Sequence, residues 1–184
     1  MSDLEIEALM NDASKTKEEL VKMIMTHHES ALLRYATRLV NDPNAAQDVV
    51  QNTFIKLYKG WDNGSRPDRH IKSWLYKVTH NNAVDYIRKE NRVRDLHERH
   101  AEELESLKDH EKTKLKREDA MNMALEHIHQ LKPNEQQVVL LRLQEGLSYR
   151  EISEITNETE GNVGYLLHHA VKKLSSSLRE AGAL

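Results

Sequence analysis

The sequence contains no cysteine, which excludes disulfide bridges, thiolate metal sites and a cysteine nucleophile. It is also poor in turn-forming residues, with 6 glycines and 3 prolines among 184 residues. Its longest uncharged run falls well short of the roughly 18 residues that suggest a membrane span. The acidic N-terminus has no apolar core like that of a signal peptide. We therefore expect an all-α, cytoplasmic protein with no membrane insertion.

Positive charge is concentrated in one part of the chain. The formal net charge is only -3, yet residues 66–94 carry 8 basic and 3 acidic side chains. Residues 1–26, 95–120 and 121–184 are each net negative. This asymmetry predicts a local contact with a polyanion such as nucleic acid.

The first half of the chain has the pattern of three consecutive helices. Apolar residues recur at helical spacing over residues 27–41, and the Asn-Asp-Pro-Asn sequence at 41–44 ends that helix and begins the next. The second helix extends to about Tyr58 and carries Asp48 and Gln51 one turn apart. A loop follows at 60–66, and Pro67 is well placed for the first turn of the third helix.

The third helix has one apolar face and one polar, basic face. In a helical projection the polar face carries Ser73, Lys77, His80, Asn81 and Arg88. Hydrogen-bond donors with aromatic rings nearby, here Trp74 and Tyr76, suit single-stranded nucleic acid, whose bases stack and whose phosphates need countercharge. The alternative is an ordinary solvated helix surface. Asn82 falls on the apolar side, which predicts a structural role for it.

Two segments have too few large apolar residues to form a core. Residues 95–119 are dense in charge of both signs and predict a charged linker, and residues 1–26 resemble them apart from one weak amphipathic stretch. We therefore expect an N-terminal extension at 1–26, a helical domain at 27–94, the linker at 95–119 and a second helical domain at 120–184.

The second domain has the pattern of a helix-turn-helix. Ser148 caps a short helix, the turn at 156–159 follows, and Thr159 can cap a long last helix. That helix has an apolar stripe on one side and a polar cluster that includes Tyr165 and His169 on the other. The second helix of such a motif fits the DNA major groove. An ordinary helical hairpin is the alternative.

These motifs together resemble the extracytoplasmic-function (ECF) sigma factors, the smallest class of bacterial RNA polymerase sigma subunits. The segment at 46–54 resembles the part of such factors that grips the polymerase clamp helices. The segment at 74–88 resembles the helix that melts and reads the promoter minus-10 element, and residues 120–178 resemble the minus-35 reading domain. The resemblance implies a region 2 helical bundle, a region 4 helix-turn-helix, and a role in promoter recognition, strand opening and transcription initiation.

The resemblance also implies partners and site residues. The partners are core RNA polymerase, through its clamp helices and flap, promoter DNA and an anti-sigma factor. Contacts with core polymerase fall to Asp48, Gln51 and Phe54. Contacts with the minus-10 element fall to Trp61, Arg66, Trp74, Tyr76, Lys77, His80, Asn81 and Arg88. Contacts with the minus-35 element fall to Arg150, Tyr165, His168, His169, Lys172 and Lys173.

One segment departs from the family pattern. Where many members place two cations early in the recognition helix, residues 162–166 read Asn-Val-Gly-Tyr-Leu. Because the strength of DNA binding scales with the phosphates neutralised, we expect a weak, salt-sensitive minus-35 contact that works within the polymerase complex. Gly164 costs about 1 kcal/mol relative to Ala in a helix interior, and it permits a close approach to the DNA backbone.

Other functions have less support in the sequence. A two-domain helix-turn-helix regulator that does not act as a polymerase subunit is the main alternative, but such proteins usually carry a strand-containing receiver, and residues 27–94 show no strand pattern. A helical adaptor without a DNA role is the third possibility. Among the 11 histidines, His97 and His100 are one residue short of the zinc-protease spacing. No phosphate loop or nucleophile elbow occurs, so we expect no enzyme activity, metal or cofactor.

Overall fold

The computed structural model describes residues 15–62, 70–101, 127–128 and 130–180. This part of the chain contains no strand and folds into six α-helices: α1 Lys17–Val40, α2 Pro43–Asp62, α3 Ile71–Ala101, α4 Pro133–Val139, α5 Tyr149–Thr156 and α6 Glu160–Glu180. A π-helical segment, Leu140–Gln144, continues α4. The predicted all-α fold is confirmed. Within the described ranges, none of these helices has the length and apolar composition needed to cross a bilayer.

α1 begins at Lys17, inside the segment that the sequence predicts as an N-terminal extension. The Thr16 hydroxyl accepts a hydrogen bond from the Glu19 N–H (3.2 Å), and the Glu19 carboxylate accepts one from the Thr16 N–H (2.9 Å). This capping box satisfies two backbone donors at the helix start. The first turns of α1 bury Leu20, Val21 and Ile24 in the core. The last ten residues of the segment predicted as an extension, 17–26, are therefore helical, and the boundary itself stays a prediction.

The turn between α1 and α2 follows the capping residues predicted from the sequence. Asn41 ends α1 in the left-handed conformation, with a φ of 55°. The Asp42 carboxylate accepts hydrogen bonds from the N–H groups of Asn44 (2.8 Å) and Ala45 (3.3 Å). Pro43, which lacks an N–H, occupies the first position of α2, where that group has no helical partner.

The chain divides into two compact units near Glu90. The first unit contains α1, α2 and most of α3, and its most deeply buried side chains are Ile24, Leu32, Tyr35, Leu57, Ile71, Leu75 and Tyr76. α3 continues as a helix to Ala101, into the segment predicted as a linker at 95–119; the rest of that segment lies outside the described residues. The domain boundaries at 27–94 and 120–184 stay predictions.

The second unit contains the predicted helix-turn-helix apart from Glu154–Asn157, which group with the first unit. Gly146 adopts a left-handed φ of 71° just before α5, a conformation that glycine reaches without strain. The Ser148 hydroxyl caps α5 by accepting from the Glu151 N–H (3.3 Å). The Thr159 hydroxyl caps α6 by accepting from the Asn162 N–H (3.2 Å). The core of this unit includes Val138, Val139, Leu140, Leu141, Leu147, Ile152, Val163 and Ala170.

Candidate polymerase and promoter interface

α2 has a buried apolar side and an exposed polar side. Asp48 and Gln51 are both exposed and lie one turn apart, and we call this pair the α2 polar face. Ile55, 41% exposed, lies on the same side of the helix one turn further on. Phe54 is only 5% exposed. The predicted polymerase contact of Phe54 is corrected, because its ring is buried in the core of the unit.

α3 presents a narrow basic strip to solvent. The side chains of Lys77, Asn81 and Arg88 are exposed, and at 100° per residue they lie within about 40° of one another around the helix. We call these three residues the α3 basic strip. Arg88 lies 3.9 Å from Asp85, but the two side chains are 70% and 74% exposed. A pair as solvated as this is weak, so the guanidinium stays accessible to a phosphate.

Tyr76 and His80 are predicted to meet DNA, but the structure buries both in the first unit. Tyr76 is 1% exposed and His80 is 5% exposed. The Tyr76 ring packs edge-on against Tyr35 of α1 at 5.5 Å, and the Tyr35 hydroxyl lies 3.0 Å from His80 Nδ1. Burial lowers the pKa of His80 to about 4 from 6.5, so this imidazole is neutral at pH 7. Both predictions are corrected, because α3 packs against α1 through a side that the projection treats as polar.

Three further residues are predicted to contact the minus-10 element: Trp61, Trp74 and Arg66. Trp61 and Trp74 are half-buried, so each ring keeps part of its surface accessible. Arg66 lies outside the described residues.

Asn82 joins α2 and α3, in agreement with the structural role predicted for it. Its amide nitrogen donates to the Thr53 hydroxyl (3.2 Å) and approaches the Val49 carbonyl oxygen (3.4 Å). Its amide oxygen accepts from Lys56 Nζ (2.6 Å). The buried hydroxyls of Thr53 and Thr79 lie 3.1 Å apart and continue the network. These bonds join α2, which carries the α2 polar face, to α3, which carries the α3 basic strip, and the Thr53–Thr79 contact among them is buried.

α6 carries exposed aromatic rings and exposed cations. Tyr165 is 59% exposed, and its ring packs against His169 with 4.3 Å between centroids. His168 and Lys172 are exposed, His169 is half-buried, and Arg150 is exposed on α5. At Gly164 an added Cβ would lie 3.5 Å from the Tyr149 ring, which is an ordinary contact. The structure therefore brings together the predicted minus-35 residues of α6 with one exception.

That exception is Lys173, whose ammonium group binds a carboxylate of the protein itself. Lys173 Nζ lies 2.7 Å and 2.8 Å from the two carboxylate oxygens of Glu135, whose side chain is only 6% exposed. Burial alone would raise the pKa of Glu135, but the hydrogen bonds from Lys173 and the Lys132 backbone outweigh it and lower that pKa. Two of the three N–H donors of Lys173 thus bind Glu135, while its side chain stays 47% exposed, and its DNA contact stays a prediction.

Both units match models of the same protein family. The model of Sigma-70 region 2 matches residues 24–93, and that of Sigma-70, region 4 matches residues 122–174. The RNA polymerase sigma-E factor of Streptomyces avermitilis is 31% identical over 150 residues, which cover 82% of this chain and 80% of that protein. The chain belongs to the RNA polymerase sigma factors.

Further relatives of this sigma factor agree with its class. The ECF RNA polymerase sigma factor SigL of Mycobacterium tuberculosis is 26% identical over 181 residues, covering 95% of this chain and 98% of that protein. The sigma factor RpoE, solved in complex with the anti-sigma factor NepR from Bartonella quintana, has the same fold. Its TM-score is 0.67 at 21% identity, over 86% of this chain and 96% of that chain. The resemblance to ECF sigma factors is confirmed.

Sequence reasoning missed two contacts between helices of the first unit. One is the start of α1, where Lys17 Nζ lies 3.7 Å from the centroid of the Tyr58 ring and the Tyr58 hydroxyl donates to Glu18 (3.0 Å). The spacing of Thr16 and Glu19 is the capping-box signature that could have revealed this helix start. The other is the Asn82 bond to Lys56, which joins residues on different helices and leaves no local signal.

Proposed function

We propose that this sigma factor binds core RNA polymerase through the α2 polar face, directs the enzyme to specific promoters, and promotes strand opening at the minus-10 element through the α3 basic strip. The observation that carries the proposal is that one rigid unit exposes both surfaces on adjacent helices. Binding of the polymerase by α2 therefore brings the α3 basic strip to a fixed place on the enzyme. The helix-turn-helix of the second unit adds a duplex contact at the minus-35 element.

The α3 basic strip has the chemistry that single-stranded DNA requires. Lys77 and Arg88 supply countercharge for phosphates, and Asn81 offers an amide to base edges. Trp61 and Trp74 keep part of their rings accessible, and a base that leaves the duplex can stack on such a surface. The strip therefore favours the open strand over the intact duplex.

The proposal gives this chain a binding role in the cytoplasm, with no catalytic centre or cofactor of its own. Phosphodiester synthesis is then the work of the polymerase. Because RpoE of Bartonella quintana was solved with an anti-sigma factor, we propose that an anti-sigma factor also controls this chain by covering surfaces that polymerase or DNA needs.

Reconstitution with core RNA polymerase tests the proposal. We expect the complex to initiate at promoters that core enzyme alone ignores. Asp48→Ala with Gln51→Ala should weaken core binding at least tenfold, since both side chains lie on the exposed side of α2. Glu29→Ala, an exposed acid of α1, is the matched control and should leave core binding unchanged. Fluorescence anisotropy of the labelled full chain measures the affinity.

The role of the α3 basic strip is tested at strand opening, which follows core binding and promoter recognition. Lys77→Ala, Asn81→Ala and Arg88→Ala together should preserve core binding and reduce open-complex formation, measured by permanganate reactivity of unpaired thymines. Lys89→Ala removes an exposed cation of the same helix that lies off the strip, so strand opening should persist. Promoter binding without any affinity for core enzyme would instead favour a regulator that is not a polymerase subunit.

A further inference from the structure

The first three turns of α6 present no lysine or arginine for base recognition. Within residues 160–171 the charged side chain is Glu160, and the first cation is Lys172. Guanine in the major groove is read mainly by arginine or lysine, which donate to its O6 and N7 atoms. A recognition helix without cations in its leading turns lacks the side chains that read guanine most often.

The amide of Asn162 is also committed within the protein. Its side-chain nitrogen donates to the Glu158 carboxylate (2.6 Å), and its backbone N–H donates to the Thr159 hydroxyl (3.2 Å). Asparagine reads adenine through paired bonds that need both ends of its amide free. The capping geometry at the start of α6 therefore takes Asn162 out of base recognition.

Tyr165 is the most exposed large hydrophobic residue of these turns. It is 59% exposed, an unusual position for a large ring. His169 lies one turn further on and packs against it at 4.3 Å with an interplanar angle of 49°. Tyr165 is thus an exposed aromatic surface held in one orientation by His169.

An aromatic surface in the major groove recognises an apolar group, and the one that base pairs offer there is the C5-methyl group of thymine. We propose that Tyr165 reads the methyl group of a thymine in the minus-35 element, and that His169 is the residue that positions the Tyr165 ring. The inference rests on the proposed function, because it needs α6 to meet promoter duplex. It assigns this sigma factor a minus-35 preference based on thymine rather than on guanine.

Replacing thymine by deoxyuridine removes only that methyl group. The template is a promoter selected by the wild-type holoenzyme from a library with a randomised minus-35 element, and each thymine of that element is replaced in turn. At one position we expect wild-type transcription to fall about fourfold, the factor that burial of one methyl group contributes. Tyr165→Ala should lower transcription from the thymine template and show no further loss with deoxyuridine.

Matched variants separate recognition by the ring from a structural effect. Tyr165→Phe keeps the ring and should keep the fourfold discrimination. Val171→Ala trims a 41% exposed residue on another side of α6 and should keep it too. His169→Ala should reduce discrimination between thymine and deoxyuridine without changing core binding, which a general loss of folding would not do.

Two results would overturn the inference alone, provided that the holoenzyme initiates from the selected promoter. One is an absence of any methyl-dependent position with the wild-type chain, and the other is equal discrimination by wild type and Tyr165→Ala. Failure of the holoenzyme to initiate at any promoter overturns the proposed function first, so the two failures are distinguishable.

Discussion

His80 is a titratable residue inside the core of a protein that works on a charged polymer. Its ring is 5% exposed and has the Tyr35 hydroxyl 3.0 Å from Nδ1. Burial lowers its pKa to about 4 from the ordinary 6.5, because an imidazolium ion in this place would lose its hydration. The folded chain therefore keeps His80 neutral over a range of pH in which the unfolded chain protonates it.

This difference makes the stability of the first unit depend on pH. The pKa of His80 is lower in the folded chain than in the unfolded chain. Above about pH 6.5 both states hold His80 neutral and the free energy of unfolding is at its full value. As the pH falls from 6.5 to about 4, the unfolded chain takes up a proton that the folded chain does not, and the free energy of unfolding declines. The loss over that window is about 3 kcal/mol. Urea unfolding of the full chain between pH 7.5 and 4, for wild type and His80→Gln, measures it. The variant should show a shallower decline, since glutamine does not titrate, and parallel curves would contradict the prediction.

Tyr76, His80 and Lys173 show why single side chains were the least predictable part of the site. A helical projection assigns one buried side to α3, but that helix contacts α1 through His80 and α2 through Thr79. Its buried surface is therefore wider than one apolar stripe. Lys173 is neutralised by Glu135, a residue 38 positions away in sequence. Neither effect has a local signal in the chain.

At the scale of elements, the predictions that held are those that depend on local chemistry. The turn at 41–44 and the caps at Ser148 and Thr159 each need only a few adjacent residues, and all three are present. The start of α1 was missed for a different reason. Residues 17–26 have too few apolar side chains to suggest a core alone, and Leu20, Val21 and Ile24 are buried by packing that the local pattern does not show.

α6 contains a residue that costs stability without serving the packing of the protein. Gly164 lies in the helix interior, and an added Cβ would make only an ordinary 3.5 Å contact with Tyr149. Gly164→Ala should therefore raise the free energy of unfolding by about 1 kcal/mol. If glycine is present so that α6 can approach the DNA backbone closely, the same variant should reduce minus-35-dependent transcription.

Thermal unfolding and transcription on matched templates measure the two effects of Gly164→Ala separately. The control is a template with a scrambled minus-35 element, on which the variant and wild type should perform alike. A variant that is more stable and fully active on the intact template would show that Gly164 has no role at the DNA.

At the scale of the whole molecule, charge separates the tasks of the two units. Residues 66–94 hold 8 basic and 3 acidic side chains, whereas residues 121–184 hold 6 basic and 8 acidic ones. In the second unit the exposed cations among the predicted minus-35 residues are Arg150, Lys172 and Lys173, and Lys173 is paired with Glu135. A unit with this charge cannot hold DNA strongly alone, so its contact depends on the first unit and the polymerase to bring promoter duplex close.

The salt dependence of minus-35 binding follows from that count. The logarithm of the binding constant should fall as the logarithm of salt concentration rises, by a slope of about one for each phosphate neutralised. Lys172→Ala should reduce the steepness of this slope by about one, because it removes a phosphate contact.

Lys173→Ala should leave the slope unchanged and instead lower the free energy of unfolding by about 2 kcal/mol, because it leaves the Glu135 carboxylate buried without its partner. Holoenzyme binding to a minus-35 duplex at several salt concentrations, with urea unfolding of the same variants, measures both. A slope that changes for Lys173→Ala and not for Lys172→Ala would mean that Lys173 leaves Glu135 when DNA binds.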